Sequence, residues 1–432
     1  MAGTAVQSEQ LTAADHLLAL FPQRRTRRFG LGMTLGGGPL SYVSQHDPVP
    51  LSAQEEEYLI YAAAGVTGLN VGDMQFERRP SCEDGHGMAL MNLQSRTVSS
   101  ACAAQTTKLF YTNDNGVFFV STAQAQDGVP STRVIQLQDT RLEIPRALPF
   151  MPSFNQWFTN RPGTTYFLPV TGLTELYINL VMVSVSEEYG YFFIDTDNGN
   201  ASCGLDEFRQ SRGGHLYDDP RARRTMTLRE LDATIAALAI QEQGIMCQNL
   251  VLMQTALGLG GGMQNVGSGR HLLGMEPQIC RGLGFSFVYP TRPMTRPNPY
   301  GLPGIWDGLV TPATRSMDAA VDAVFMAKFG PQGTYRQAQG RPWRDPELAA
   351  QIQPHSARSV EAAKALCNYV WRTYGRFPAH ADAFQVGMAC QAHHLDTDFY
   401  DAFYPNAILP QAHRRHMETC QRVHKMSSKE VR

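Results

Sequence analysis

Residues 242–262 read EQGIMCQNLVLMQTALGLGGG. Met246, Leu250, Met253 and Leu257 are spaced by four, three and four, which places them on one face of a helix and predicts that this face is buried. Gly258 and the run Gly260, Gly261 and Gly262 then end the helix in backbone without a Cβ. Such backbone turns sharply, and it lets a flat or anionic ligand approach main-chain N–H groups. A plain C-cap and turn has the same sequence, so the other segments must decide between the two.

Upstream, Thr227 with Glu230 forms a capping box, and Leu228, Leu231, Ile235 and Leu238 begin the helical pattern that runs into this stretch. Two earlier helix starts carry comparable signals. Thr12 precedes an amphipathic segment with Leu17, Leu18 and Phe21 at helical spacing, and Ser52 with Glu55 opens a helix over 52–64 that ends at Gly65. The run Leu109 to Thr122 is broken by Asn115-Gly116 between aromatic and β-branched residues and predicts a hairpin. LYINLVMVSV, residues 176–185, reads as a buried strand, YGYFFIDT as another, and Gly282 to Val288 as a last one.

The chain has 432 residues, 43% of them hydrophobic, enough for one large core with a substantial extension. A formal net charge of −2 argues against nucleic acid or an anionic membrane as the main partner. The opening MAGTAVQSEQ has neither a basic n-region nor an apolar h-region, and no apolar run is long enough to span a bilayer. A soluble cytoplasmic protein is expected. Eight scattered cysteines without a Cys-x-x-Cys pair suit reduced thiols better than a disulfide framework. Pro290, Pro293, Pro297, Pro299 and Pro303 mark a linker or arm, and helical composition returns after residue 310.

Arg24, Arg25, Thr26, Arg27 and Arg28 gather four guanidiniums and a hydroxyl within five residues. That density repels itself at an exposed site unless an anion is held there, although a solvated basic turn would look the same. Residues 96–105, RTVSSACAAQ, are small and precede a strand, as in tight packing or in a ledge under a planar ring.

Three of these segments, in order and at similar spacing, resemble the nitroreductase superfamily of flavin mononucleotide enzymes, nearest to its azoline-dehydrogenase branch. The family's Arg-Arg-Ser-x-Arg pattern is matched by Arg24-Arg25-Thr26-x-Arg28, and its Pro-Ser-Ala-Gly-Ala element by Ser99-Ser100-Ala101-Cys102-Ala103. Its Glu-x-Gly, Gln-Asn-Leu and Ala-Leu-Gly-Leu-Gly pieces appear as Glu242-x-Gly244, Gln248-Asn249-Leu250 and Ala256 to Gly260. Ser99 and Cys102 depart from the family's Pro and Gly, and Cys102 adds a thiol where the ring would lie.

The resemblance implies an α+β fold, a mixed central sheet surrounded by helices, over residues 11–290, with a Pro-rich linker and mainly helical extension over 291–432. It also implies a homodimer with flavin mononucleotide (FMN) in each of two interface clefts. Arg24, Arg25, Thr26 and Arg28 would take the phosphate, and Ser99, Ser100 and Ala101, with Gln105 or Asn70, the ring. Gly260, Gly261 and Gly262 would offer N–H groups near the flavin N5. Hydride would pass between an organic or peptide-derived substrate and the flavin in a ping-pong cycle, with NAD(P)H as an optional donor. A dehydrogenating member would need a base, for which Tyr61 and Lys108 are the candidates.

Two other classes fit parts of the chain. One is a partner protein that binds FMN without turnover, given Ser99 and Cys102. The other is a metal-dependent enzyme, because Cys390-x-x-His393 and Cys420-x-x-x-His424 have ligand-like spacing among His380, His394 and Asp396. Packing is the plainer role for that cluster, and no residue is assigned to a metal. Arg376 or a histidine could instead reach over the flavin.

Overall fold

The computed structural model describes residues 12–70, 87–124, 130–219, 221–265, 269–291, 296–337, 341–378 and 387–430. The three capping signals each start a helix. Thr12 caps α1 (Ala13–Leu20), Ser52 caps α2 (Ala53–Ala64), and Thr227 caps the longest helix, α4 (Leu228–Leu257). In each box the hydroxyl accepts the N–H three residues on, and the acidic side chain there accepts the cap N–H. Helix α4 runs unbroken through Gly244 to Gly258, whose φ of 78° is the left-handed C-cap that glycine permits. Met246 and Leu250 are fully buried, while Met253 and Leu257 pack from the margin of the same core.

Residues 176–185 do not form a strand. All but Val185, the C-cap, lie in α3 (Thr174–Ser184), where Leu176, Tyr177, Ile178, Asn179, Val181 and Met182 are all buried. A helix covered on nearly every side loses its polar stripe, and an unbroken apolar run then reads like a central strand. The remaining helices are α5 (Gly269–Leu273), α6 (Met317–Phe329), α7 (Ala357–Tyr374), α8 (Thr397–Phe403) and α9 (Gln411–Glu430). Helices α6 and α7 pack with α3 in a core that includes Ile178, Val321, Leu366 and Phe377. Among the described residues, no helix is long and apolar enough to cross a membrane.

The fold is α+β, with helices around a central six-stranded sheet. Its strands are β1 (Thr107–Asn113), β2 (Gly116–Gln124), β3 (Pro130–Gln138), β4 (Thr165–Thr171), β5 (Gly260–Asn265) and β6 (Met388–His393). The spatial order is β5-β6-β4-β1-β2-β3, and every neighbouring pair is antiparallel. The expected hairpin is β1–β2, turning at Asp114-Asn115. Alternation sends Leu109 and Tyr111 toward the core shared with α2 and α4, and Phe110 toward the opposite core with Phe285 and Trp306. Strand β6 comes from beyond the Pro-rich stretch and lies between β5 and β4. Of the expected last strand at 282–288, Ser286–Val288 is extended, pairing with Asn298–Leu302 in a separate small sheet.

The glycine run makes no turn. Gly260, Gly261 and Gly262 open β5, opposite His393, Ala392 and Gln391 of β6. A Cβ on Gly261 would sit 1.8 Å from the Gln391 carbonyl oxygen, and its φ of 115° is closed to most side chains. On its outer side the Gly261 N–H donates to the Arg27 carbonyl at 2.6 Å. These residues are glycine because two strands approach closely there.

Candidate functional site

The residues singled out by sequence gather at two places along α4, its middle and its C-terminal end. At its middle, Glu242 is buried, and its carboxylate accepts three hydrogen bonds: from Ser100 Oγ, Thr106 Oγ1 and the Thr107 N–H, each at 2.9 Å. Ser100 Oγ in turn accepts the Gln105 N–H at 2.7 Å, and the Gln105 amide donates to the Gln94 carbonyl at 2.5 Å. One carboxylate thus shapes the whole segment before β1. Within that segment Cys102, Ala103 and Gln105 have φ of 52°, 47° and 51°. Left-handed backbone in three non-glycine residues costs energy and persists only where the surroundings impose it.

A pocket of about 210 Å³ opens beside this segment. Asn70, Gln94, Arg96, Ser99, Ser100 and Gln105 line it. Arg96 is buried and donates from Nη1 to the Thr107 carbonyl at 3.2 Å, while its buried Nε has no partner among the described residues. Burial pushes its pKa down, against the pull of Glu242. An unmatched guanidinium N–H of this kind is costly unless an acceptor arrives. Ala101 and Cys102 do not line the pocket. The Cys102 thiol is held up by burial and opposed by Lys328.

Gln105 is also a wall of a second pocket of about 210 Å³, lined by Thr106, Lys108, Glu175, Trp306 and Asp307. Enclosure lowers the Lys108 ammonium pKa, Arg96 lowers it further, and Glu175 and Glu242 oppose both. Glu175 reaches solvent at the pocket mouth but is walled by protein, which raises its carboxyl pKa against the pull of Lys108. Of the two candidate bases, Lys108 lines a pocket, whereas Tyr61 is exposed on α2 and lines neither.

The basic cluster sits at the C-terminal end of α4. Arg24, Arg25 and Thr26 are exposed. Arg27 is buried, with Nε donating to the Ile408 carbonyl at 2.7 Å and both Nη atoms facing the Gln23 carbonyl; burial pushes it down to about 10. Arg28 lies over the Phe158 and Trp157 rings at 5.1 and 5.7 Å. Thr26 touches the space beside Gly262, where a Cβ would meet its methyl at 3.2 Å. The Gly261 N–H is taken by Arg27, so it is not offered to a ligand.

Sixteen residues separate Glu242 from Gly258, about 24 Å along the helix. One chain therefore brings Arg24–Arg28 to Gly260–Gly262, and Ser99–Gln105 to Glu242, but does not bring the two groups together.

The C-terminal cluster is rearranged. Cys390 and His393 are three apart on β6 and so point to opposite faces. The Cys390 sulfur receives the Gln254 amide at 3.3 Å, and burial pushes His393 down to about 3. Asp396 caps α8. His380 and the side chain of His424 lie outside the described residues, and Arg376 lines neither pocket. What does converge is His394, His416 and Glu55, with ligand-type atoms within 4.8 Å of one another. The capping role of Glu55 hid this in the sequence, and no local spacing joins it to residues more than 300 positions away.

No family profile matches the sequence, and no curated protein matches it. Among solved structures, a "putative nitroreductase" from Ralstonia eutropha aligns over 62% of this chain and 76% of its own, at 12% identity and a TM-score of 0.26. A likeness at that score transfers neither fold nor activity.

Proposed function

We propose that this protein is an FMN-dependent oxidoreductase that moves hydride between an organic substrate and the flavin, and that it works as a homodimer. The observation that carries the proposal is the pocket beside Ser99, Ser100 and Gln105, with the buried Arg96 Nε lacking an acceptor among the described residues. When bound, the flavin would supply the redox chemistry.

The pocket suits the polar edge of a flavin ring and is too small for the whole cofactor. Arg96 would donate to a ring carbonyl or nitrogen. Asn70 and Ser99 supply further polar groups along the same wall. Ser100 and Gln105 are already committed to Glu242 and Gln94, so their part is to hold that wall in shape. Lys108, one residue beyond the Thr107 N–H that Glu242 holds, would take or return a substrate proton in the adjoining pocket. Either a dehydrogenase or an NAD(P)H-fed reductase could use this arrangement.

The phosphate would need the exposed Arg24, Arg25 and Thr26, which in one chain lie too far from the pocket. A second copy answers that requirement. Helix α1 buries none of its residues, and Leu17, Leu18 and Phe21 are exposed immediately before the arginines. Tyr58 and Tyr61 on α2, and Ile240 and Ile245 on α4, are exposed too. Such apolar side chains on neighbouring helices suit a two-fold interface. The test is the visible spectrum of the purified protein and its titration with FMN. Flavin bands with about one FMN per chain are expected, and a colourless protein that FMN neither binds nor stabilises would remove the proposal.

A further inference from the structure

Glu55, His394 and His416 come from the first turn of α2, the residue after β6 and the first half of α9. His394 Nδ1 is 2.8 Å from His416 Nε2, which is 3.3 Å from Glu55 Oε1. The His394 side chain is buried, and those of Glu55 and His416 are mostly so. We propose that these three side chains bind a divalent transition metal of the zinc class, tying α9 to α2 and to the end of β6.

The atoms around the cluster prepare it for such a role. His394 Nε2 faces the Pro50 carbonyl at 3.2 Å. A carbonyl can only accept, so Nε2 carries the proton and Nδ1 presents its lone pair toward His416. A ligating histidine is held in the same way by a carbonyl behind it. Glu55 Oε2 accepts the Ser52 N–H at 2.7 Å and its hydroxyl at 2.8 Å, which leaves Oε1 for the cluster. Two imidazole nitrogens and one carboxylate oxygen form a donor set that zinc accepts. Two Zn–N bonds of about 2.0–2.1 Å at a tetrahedral angle put the nitrogens about 3.3 Å apart, so the rings need to part by about half an ångström. A fourth position remains for water or for Cys420, one turn beyond His416 on α9.

Without a metal, the 2.8 Å contact is an imidazole–imidazole hydrogen bond and nothing more. Cobalt separates the two cases. Full-length protein stripped with a chelator and titrated with Co²⁺ should bind one equivalent, show the visible bands of tetrahedral cobalt, and lose them to Zn²⁺. Glu55→Gln keeps the capping box, because Gln serves at that position, but removes the anionic ligand. It should weaken Co²⁺ binding at least tenfold, and His416→Ala should abolish the bands. His46→Ala, in the separate group with Asp396 and Asp398, should leave them unchanged. Absent bands in the wild-type protein, wild-type affinity in both Glu55→Gln and His416→Ala, or loss of binding in His46→Ala would overturn the proposal.

Discussion

At the scale of single residues, Glu242 has the largest structural reach. Its carboxylate fixes Ser100, Thr106 and the start of β1 together, so it sets the shape of the pocket wall without lining the pocket. Glu242→Gln replaces an oxygen that accepts with an amide that donates, facing groups that themselves donate. That change should lower unfolding free energy by roughly 2–3 kcal/mol, read from urea midpoints, and FMN affinity should fall with it.

His355 makes a second prediction at this scale. It is buried, Lys328 Nζ lies 3.1 Å from its Nε2, and both burial and that lysine hold its pKa well below the usual histidine range. Lys328, itself pushed down to about 7 by burial, is the charged group facing it. Above the unfolded value of about 6.5 both states are neutral at His355 and the effect vanishes. Below it the unfolded chain takes up a proton that the folded one refuses. Stability should therefore fall by about 1.4 kcal/mol per pH unit on acidification from about 6.5, and His355→Gln should flatten that slope.

At the scale of elements, the glycine run shows how a local signal can be right about geometry and silent about partners. Gly258 ends α4 as its sequence predicts, because a left-handed C-cap is a local requirement. Gly260–Gly262 go on into an edge strand because Arg27 and Gln391 close on Gly261 from two sides, and neither is near it in sequence. Gly261→Ala should therefore cost upward of about 3 kcal/mol, since its Cβ has no room and its φ is left-handed. Native yield and thermal midpoint would show it, and a near-neutral variant would contradict the strand assignment.

The same division explains what the sequence could reveal. The Thr12 N-cap, the two capping boxes at Ser52 and Thr227 and the Asn115-Gly116 hairpin depend on residues within three or four positions, and all are found where expected. Helix α3 was hidden because its neighbours bury it on most sides. The Glu55–His394–His416 group was hidden because its members meet only through tertiary packing. The pocket lies between these extremes. Ser99, Ser100 and Gln105 are legible as a small-residue ledge, but the buried Arg96 Nε, without a partner among the described residues, is not.

At the scale of the whole molecule, the arginine cluster and the pocket are separated along α4. A complete cofactor site in this account therefore depends on two copies. The wild-type protein should sediment as a dimer. Leu18→Glu on α1 combined with Phe21→Glu at its C-cap, where no residue is buried, should give a folded monomer that has lost most of its FMN affinity. A monomeric wild type that still binds FMN tightly would place the phosphate elsewhere.

The central claim is that Arg96 and its pocket hold a flavin. FMN titration of wild-type and Arg96→Ala proteins, followed by flavin fluorescence with circular dichroism as a check on folding, tests it most directly. About one FMN per wild-type chain is expected, with at least a tenfold weaker affinity in a folded Arg96→Ala variant. No wild-type binding, or equal affinity in the two proteins, would contradict it.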